Sequence, residues 1–190
     1  LEFRRVLFRS DGYSNFQATI AKIRPSDGEV VWCKRATIPN NAYGSGISLA
    51  IGANNQIYWM GTTNNRPEQN SYEGLFFMEL DTNGNIVWQN TLGGDQSNTS
   101  VWSASGHREL ALSPDGTKLA TTGYGYRGPT DSSTDYHHMI TAQLPADGTR
   151  GEAYVTQHNL IYAPGSMTLQ DAPMTFRDLR SEEHTSELQS

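Results

Sequence analysis

Apolar residues alternate along short segments of the chain, and the segments are punctuated by turns. In "LFFMELD" (Leu75–Asp81), Phe76, Met78 and Leu80 alternate with Leu75, Phe77 and Glu79. Successive strand side chains point to opposite faces, so both faces of this strand are mostly apolar and it is expected to be covered on both sides. In the following "IVW", the same alternation puts Ile86 and Trp88 on one side and Val87 on the other. The order strand, turn, strand appears in "FQATIAKIRPSDGEVVWCKRA", in "GLFFMELDTNGNIVWQNTL" and in "YHHMITAQLPADGTRGEAYVT". Each turn holds Asp-Gly or Asn-Gly, which reach positive φ at low cost and match the twist of a hairpin. The turn glycines Gly28, Gly84 and Gly148 are spaced by 56 and 64 residues. Trp32 and Trp88 each follow their glycine by four residues, whereas Glu152 holds that place in the third unit, with Tyr154 two further on.

A second kind of hairpin lies between these, in "ISLAIGANNQIYWMGTT" and "RELALSPDGTKLATTGYG", and "MTLQDAPM" near Met167 reads as the start of a third. Two hairpins make one four-stranded antiparallel meander, and a repeat of about 60 residues with four strands per unit predicts a β-propeller. The expected class is all-β, a partial β-propeller of about two and a half four-stranded antiparallel blades. Its parts are an outer hairpin over 11–35, blades over 47–92 and 107–158, and the start of a further blade over 159–179. Such a piece cannot close a ring and is expected to expose apolar faces on its outermost sheets.

The ends read differently. Codons CTG-GAG-TTC-AGA-CGT-GTG-CTC-TTC-CGA-TCT encode "LEFRRVLFRS", and the reverse complement of that oligonucleotide encodes "RSEEHTSELQ", the peptide that begins at Arg180. Segments 1–10 and 180–190 therefore resemble a translated sequencing adapter, are expected not to be native, and are set aside like a fusion scar. The remaining 11–179 is expected to be a fragment cut at both ends; it holds ten Lys/Arg and sixteen Asp/Glu, a net charge of −6.

"FFMELDTNGNIVWQNTLGGDQSN" resembles the SBBP-type β-propeller repeat, whose hairpin reads roughly K-L-D-x-x-G-N-x-x-W-x-x-x-x-G-G. Asp81, Gly84, Asn85, Trp88, Gly93 and Gly94 fall on that pattern, with Glu79 in place of the lysine. "IAKIRPSDGEVVWCKRA" fits at Lys22, Gly28 and Trp32 but lacks the Gly-Gly, and the third hairpin fits poorly. The resemblance implies a secreted or cell-surface propeller that serves as a non-catalytic binding or spacer scaffold, and it implies no catalytic residue and no cofactor. The alternative is the propeller portion of an extracellular enzyme, hydrolase or quinoprotein-like, with catalytic residues outside this segment. The quinoprotein repeat itself is matched only at the Gly and the Trp. Gly28, Trp32, Asp81, Gly84, Trp88 and Gly148 are read as structural.

Composition adds exclusions. The chain has no cluster of Lys/Arg, and its net negative charge argues against a nucleic-acid partner. No apolar run approaches the roughly 18 residues of a membrane-spanning helix. Cys33 is the only cysteine, so no disulfide forms within the chain, and it is read as a small core residue. The meander places tight turns 52–56, 81–85, 113–117 and 145–150 on one rim, and longer loops 36–46, 63–73, 93–106 and 124–135 on the other. Long loops on a rigid scaffold are the usual binding sites. The richest is "YGYRGPTDSSTDYHH", where Tyr124, Tyr126, Arg127, Asp131, Asp135, Tyr136 and His137 combine aromatic faces with charge suited to a glycan or a protein. "DTNGN" opens like a calcium loop, but Leu92 holds the place of the closing glutamate, so it reads as a turn. "SPDGTK" is similar to the Asp-box of sialidase propellers, but its glycine comes a residue early and no tryptophan follows. Adjacent His137 and His138 point to opposite faces of a strand and do not share a metal. Asn98 opens an Asn-Thr-Ser glycosylation sequon.

Overall fold

The computed structural model describes residues 18–37, 44–66, 69–94, 100–103, 109–129, 136–150, 154–155 and 160–173. The adapter-like ends and Asn98 lie outside the described residues. Every element among them is a strand, and none is a helix. In order these are β1 (Thr19–Ile23), β2 (Val30–Thr37), β3 (Gly44–Ile51), β4 (Ile57–Arg66), β5 (Gln69–Leu80), β6 (Ile86–Gly94), β7 (Ser100–Ser103), β8 (Glu109–Leu112), β9 (Lys118–Pro129), β10 (Tyr136–Pro145), β11 (Tyr154–Val155), β12 (Leu160–Pro164) and β13 (Thr168–Asp171). They form three antiparallel sheets: β1-β2-β13, β12-β6-β5-β4-β3, and β11-β10-β9-β7 with β8 also on β9.

The sheets stack face to face, with the β3–β6 meander in the middle. Its two faces carry separate apolar layers, because a period of two sends neighbours to opposite sides. Ile57, Trp59, Phe76, Met78 and Leu80 pack against Ala18, Ile20 and Ala36 of the first sheet and its lead-in. Tyr58, Met60, Leu75, Phe77 and Leu92 pack against Leu110, Leu119, Ala142 and Leu144 of the third sheet. Phe76 and Phe77 are adjacent, fully buried, and belong to different layers. Burying each such side chain stabilises by about 1.5–3 kcal/mol, so both faces of β5 contribute. Within the first layer Trp59 meets Phe76 edge-on, ring centroids 5.1 Å apart.

Three details depart from the simple strand pattern. A register shift between Glu79 and Leu80 pairs Trp88 with Glu79 but Ile86 with Leu80. Ile86 therefore joins the layer toward the first sheet while Trp88 joins the layer toward the third, not the same side. The long connections also shorten: β4 and β5 continue to Arg66 and Gln69, and β9 and β10 continue to Pro129 and Tyr136. Finally, the segment expected to begin a further blade returns along edges already formed. β12 lies antiparallel to β6, and β13 lies antiparallel to β2.

Gln89 reinforces that return. Its side-chain amide donates to Met167 C=O at 2.8 Å and accepts from Met167 N–H at 3.0 Å, as a neighbouring strand would. Met167 is buried in the layer between the first two sheets. The Lys34–Asp171 ion pair, at 2.6 Å, joins β2 to the end of this returning segment, the strap over 160–171. The outward face of the third sheet carries the exposed Met139 among small or polar residues, Ala111, Ala120, Thr122 and Gln143, so the expected apolar exposure is present there only in part.

Candidate functional site

The tight turns sit where expected, and glycine takes positive φ in each of four of them: Gly28 at 76°, Gly84 at 79°, Gly116 at 73° and Gly148 at 78°. Asp81 closes its turn by accepting the N–H groups of Asn83 and Asn85 on one oxygen and the Asn85 side-chain amide on the other. Asp27 accepts Glu29 N–H, and Asp147 accepts Thr149 N–H, both at 2.9 Å. These backbone bonds hold all three carboxyls below the usual Asp range. Asp115 accepts the Ser113 hydroxyl and both the amide and hydroxyl of Thr117, which lowers it to about 2. Such aspartates are engaged in shaping turns. Among the described residues no group of three or more His, Cys, Asp or Glu is arranged to hold a metal ion.

The tryptophans join one sheet to the next in the same way twice. Trp32 Nε1–H donates to Thr82 C=O at 3.0 Å, and Trp88 Nε1–H donates to Ala146 C=O at 3.1 Å. Thr82 and Ala146 each stand two residues before a turn glycine, Gly84 or Gly148. The indoles lie over those glycines: a Cβ at Gly84 would come within 3.2 Å of Trp32, and one at Gly148 within 2.5 Å of Trp88. Glycine is therefore favoured at both places by φ and, at Gly148, also by close approach, whereas at Gly84 the neighbours would have to give by only a few tenths of an ångström. Lys22, cross-strand from Trp32, also donates to Thr82 C=O, at 3.1 Å.

Around Trp88 the contact is elaborated by polar side chains that strand periodicity does not reveal. Trp88 Nε1–H also reaches Glu79 Oε2 at 2.7 Å. Burial raises the Glu79 carboxyl, opposed by that bond. Burial also raises Tyr58, helped by the charges of Glu79 and Asp147. Buried Asn90 donates to Gly148 C=O at 2.9 Å and to the Tyr162 hydroxyl at 3.1 Å. Burial pushes that phenol up to about 12. The visible signal for Gln89 and Asn90 is two amides in an otherwise apolar strand, since buried amides need partners. Cys33 is buried, which raises its thiol.

In the third sheet, Gln143 pairs with Tyr154. Gln143 and Glu79 each precede their turn glycine by five residues, and Trp88 pairs with Glu79, so the backbone place of the tryptophan falls on Tyr154 rather than Glu152. Two additional residues after Gly148 account for the displacement.

The expected ligand-loop residues are divided by the structure. Tyr124, Tyr126 and Arg127 lie on β9, and Tyr136 and His137 lie on β10. Backbone register aligns Arg127 with Tyr136 and with Trp102 of β7, and aligns Tyr126 with His137 and Ser103. Asp131 and Asp135 lie outside the described residues. The five placed residues thus share the end of the third sheet opposite turns 113–117 and 145–149.

No helix among the described residues is long and apolar enough to cross a membrane. No family model matches the chain, and no curated protein or solved structure was found to be similar to it.

Proposed function

We propose that the chain is part of a β-propeller of the SBBP type and acts as a non-catalytic binding or spacer scaffold outside the cell. One observation carries the architecture: two successive sheet interfaces use the same contact, an indole N–H on the carbonyl two residues before a turn glycine. A contact repeated at a constant offset relates successive sheets by a similar rotation, which is how radial arrays are built. The central sheet, apolar on both faces, fits the same scheme.

On this reading the ligand surface is the β9–β10 end, a proposal supported by the backbone register that aligns Tyr136 with Arg127 and Tyr126 with His137. Aromatic faces beside donors suit a glycan or an extended peptide. The test is an array of glycans and secreted-protein peptides probed with the chain. Binding by the parent that falls at least about tenfold in the Arg127→Ala, Tyr136→Ala double variant supports the placement, as expected when a charged hydrogen bond and a stacking contact are removed together. Undiminished binding by the double variant overturns it. Imaging of the full-length parent protein tests the ring.

A further inference from the structure

The two occupied turns have a third counterpart that is open. Gly28 has a φ of 76°, within a few degrees of Gly84 and Gly148, yet a Cβ built on it meets nothing within 4 Å. The turn is exposed throughout, from Arg24 to Glu29. Its sequence, Pro25-Ser26-Asp27-Gly28, matches Pro145-Ala146-Asp147-Gly148, which lies under Trp88. Both turns are held by the same aspartate bond to the amide after glycine. The Gly28 turn is one residue wider, since Gly28 N–H bonds Arg24 C=O where Gly84 N–H bonds Asp81 C=O. It is nevertheless built before any occupant arrives.

We infer that the Gly28 turn is a docking socket for a β-hairpin that presents an indole and a lysine on one face, the indole N–H donating to Ser26 C=O. This inference rests on the propeller reading and extends it to a specific surface. The chain itself supplies the chemistry of the occupant. Over Gly84 sit Trp32 and the stem of Lys34, and Lys22 joins Trp32 on Thr82 C=O. The acidic character of the socket suits the same pairing. Asp27 and Glu29 both pair with Arg24, so among the described residues the turn carries two carboxylates on one cation, an excess of one negative charge that favours an incoming ammonium.

The probe is a backbone-cyclised peptide of residues 18–37 with Cys33→Ser, which carries Lys22 and Trp32, accepted for titration once cross-strand nuclear Overhauser contacts show it is a hairpin. It is titrated into the isotope-labelled full chain while backbone amides are followed by NMR. Saturable shifts are expected at Asp27, Gly28 and Glu29, half-complete below about 1 mM, the weak end of specific binding. Gly116, an equally open turn, is expected to stay silent. Affinity should fall about tenfold or more with a Trp32→Ala peptide, the loss of a buried hydrogen bond and its apolar contact. It should fall similarly with a Gly28→Val chain whose other amide shifts are unchanged. Equal binding by the Trp32→Ala peptide, equal shifts at Gly116, or no shift at that concentration overturns the socket. Dimerisation of the chain that Gly28→Val abolishes would also overturn it, by replacing the hairpin with a second copy. A closed ring in the parent protein together with a failed titration would dismiss the socket and leave the propeller reading standing.

Discussion

Two glycines of equal backbone conformation separate the cost of φ from the cost of contact. Gly116 and Gly148 both have positive φ, but only Gly148 lies under an indole, 2.5 Å from where a Cβ would meet Trp88. A non-glycine residue in the left-handed region costs about 1–2 kcal/mol. Gly116→Ala is expected to lose that much and no more. Gly148→Ala should lose about 1–3 kcal/mol beyond it, the usual cost of overpacking. Urea midpoints at unchanged m-value measure both. Equal losses would mean that Trp88 does not press on the turn. The glycines were legible from Asp-Gly and Asn-Gly alone, because turn chemistry is local. Their tryptophan partners were not, because Trp32 and Gly84 meet only when two sheets stack. The opposite facing of Ile86 and Trp88 was hidden for a related reason: the register shift at Glu79 is invisible to a period of two.

At the level of elements, strands and turns could be read from alternation and glycine, and the all-β class follows from them. The path of 160–171 could not be read. "LIYAPGSMTLQD" has the composition of any strand pair, and its path is held by pairing with β6 and β2 and by one side chain of β6. Gln89 occupies both backbone hydrogen-bonding groups of Met167. Gln89→Ala removes both bonds and leaves the two Met167 groups to find water or stay unpaired. A loss of about 1–3 kcal/mol is expected, confined to the strap. Hydrogen exchange should show faster exchange across β12 and β13 with β4 and β5 unchanged. Uniform acceleration throughout the molecule would show that the strap is not a separate unit. The candidate ligand residues were legible by type alone, and their alignment across β9 and β10 needed the register.

For the molecule as a whole, two sets of carboxyls pull stability in opposite directions with pH. Asp27, Asp81, Asp115 and Asp147 are all lowered from 3.8 by hydrogen bonds within their turns. A lowered folded value stabilises above the unfolded value and is lost as pH falls through the folded one. Stability should therefore decline as pH drops from about 4 toward about 2. Glu79 is raised from 4.5 by burial. Its contribution is present below the unfolded value and disappears as pH rises through the folded one. Glu79→Gln keeps an acceptor for Trp88 and removes the charge. The variant should melt higher than the parent at about pH 7, with the difference vanishing below about pH 4, where both side chains are neutral. A variant that melts lower at neutral pH would show that the charged bond to Trp88 outweighs the desolvation of Glu79.

The strap also has a consequence for biosynthesis. Lys34 and Asp171 are 137 positions apart, so β2 leaves the ribosome long before its partner β13 exists. Translation at about 5–20 residues per second leaves that edge unpaired for many seconds. Over the same interval the place of Met167, between the first two sheets, has no occupant of its own. The nascent polypeptide thus carries an exposed strand edge beside oily surface until β12 and β13 emerge, and this window is where chaperone capture or pairing with a neighbouring nascent chain would begin.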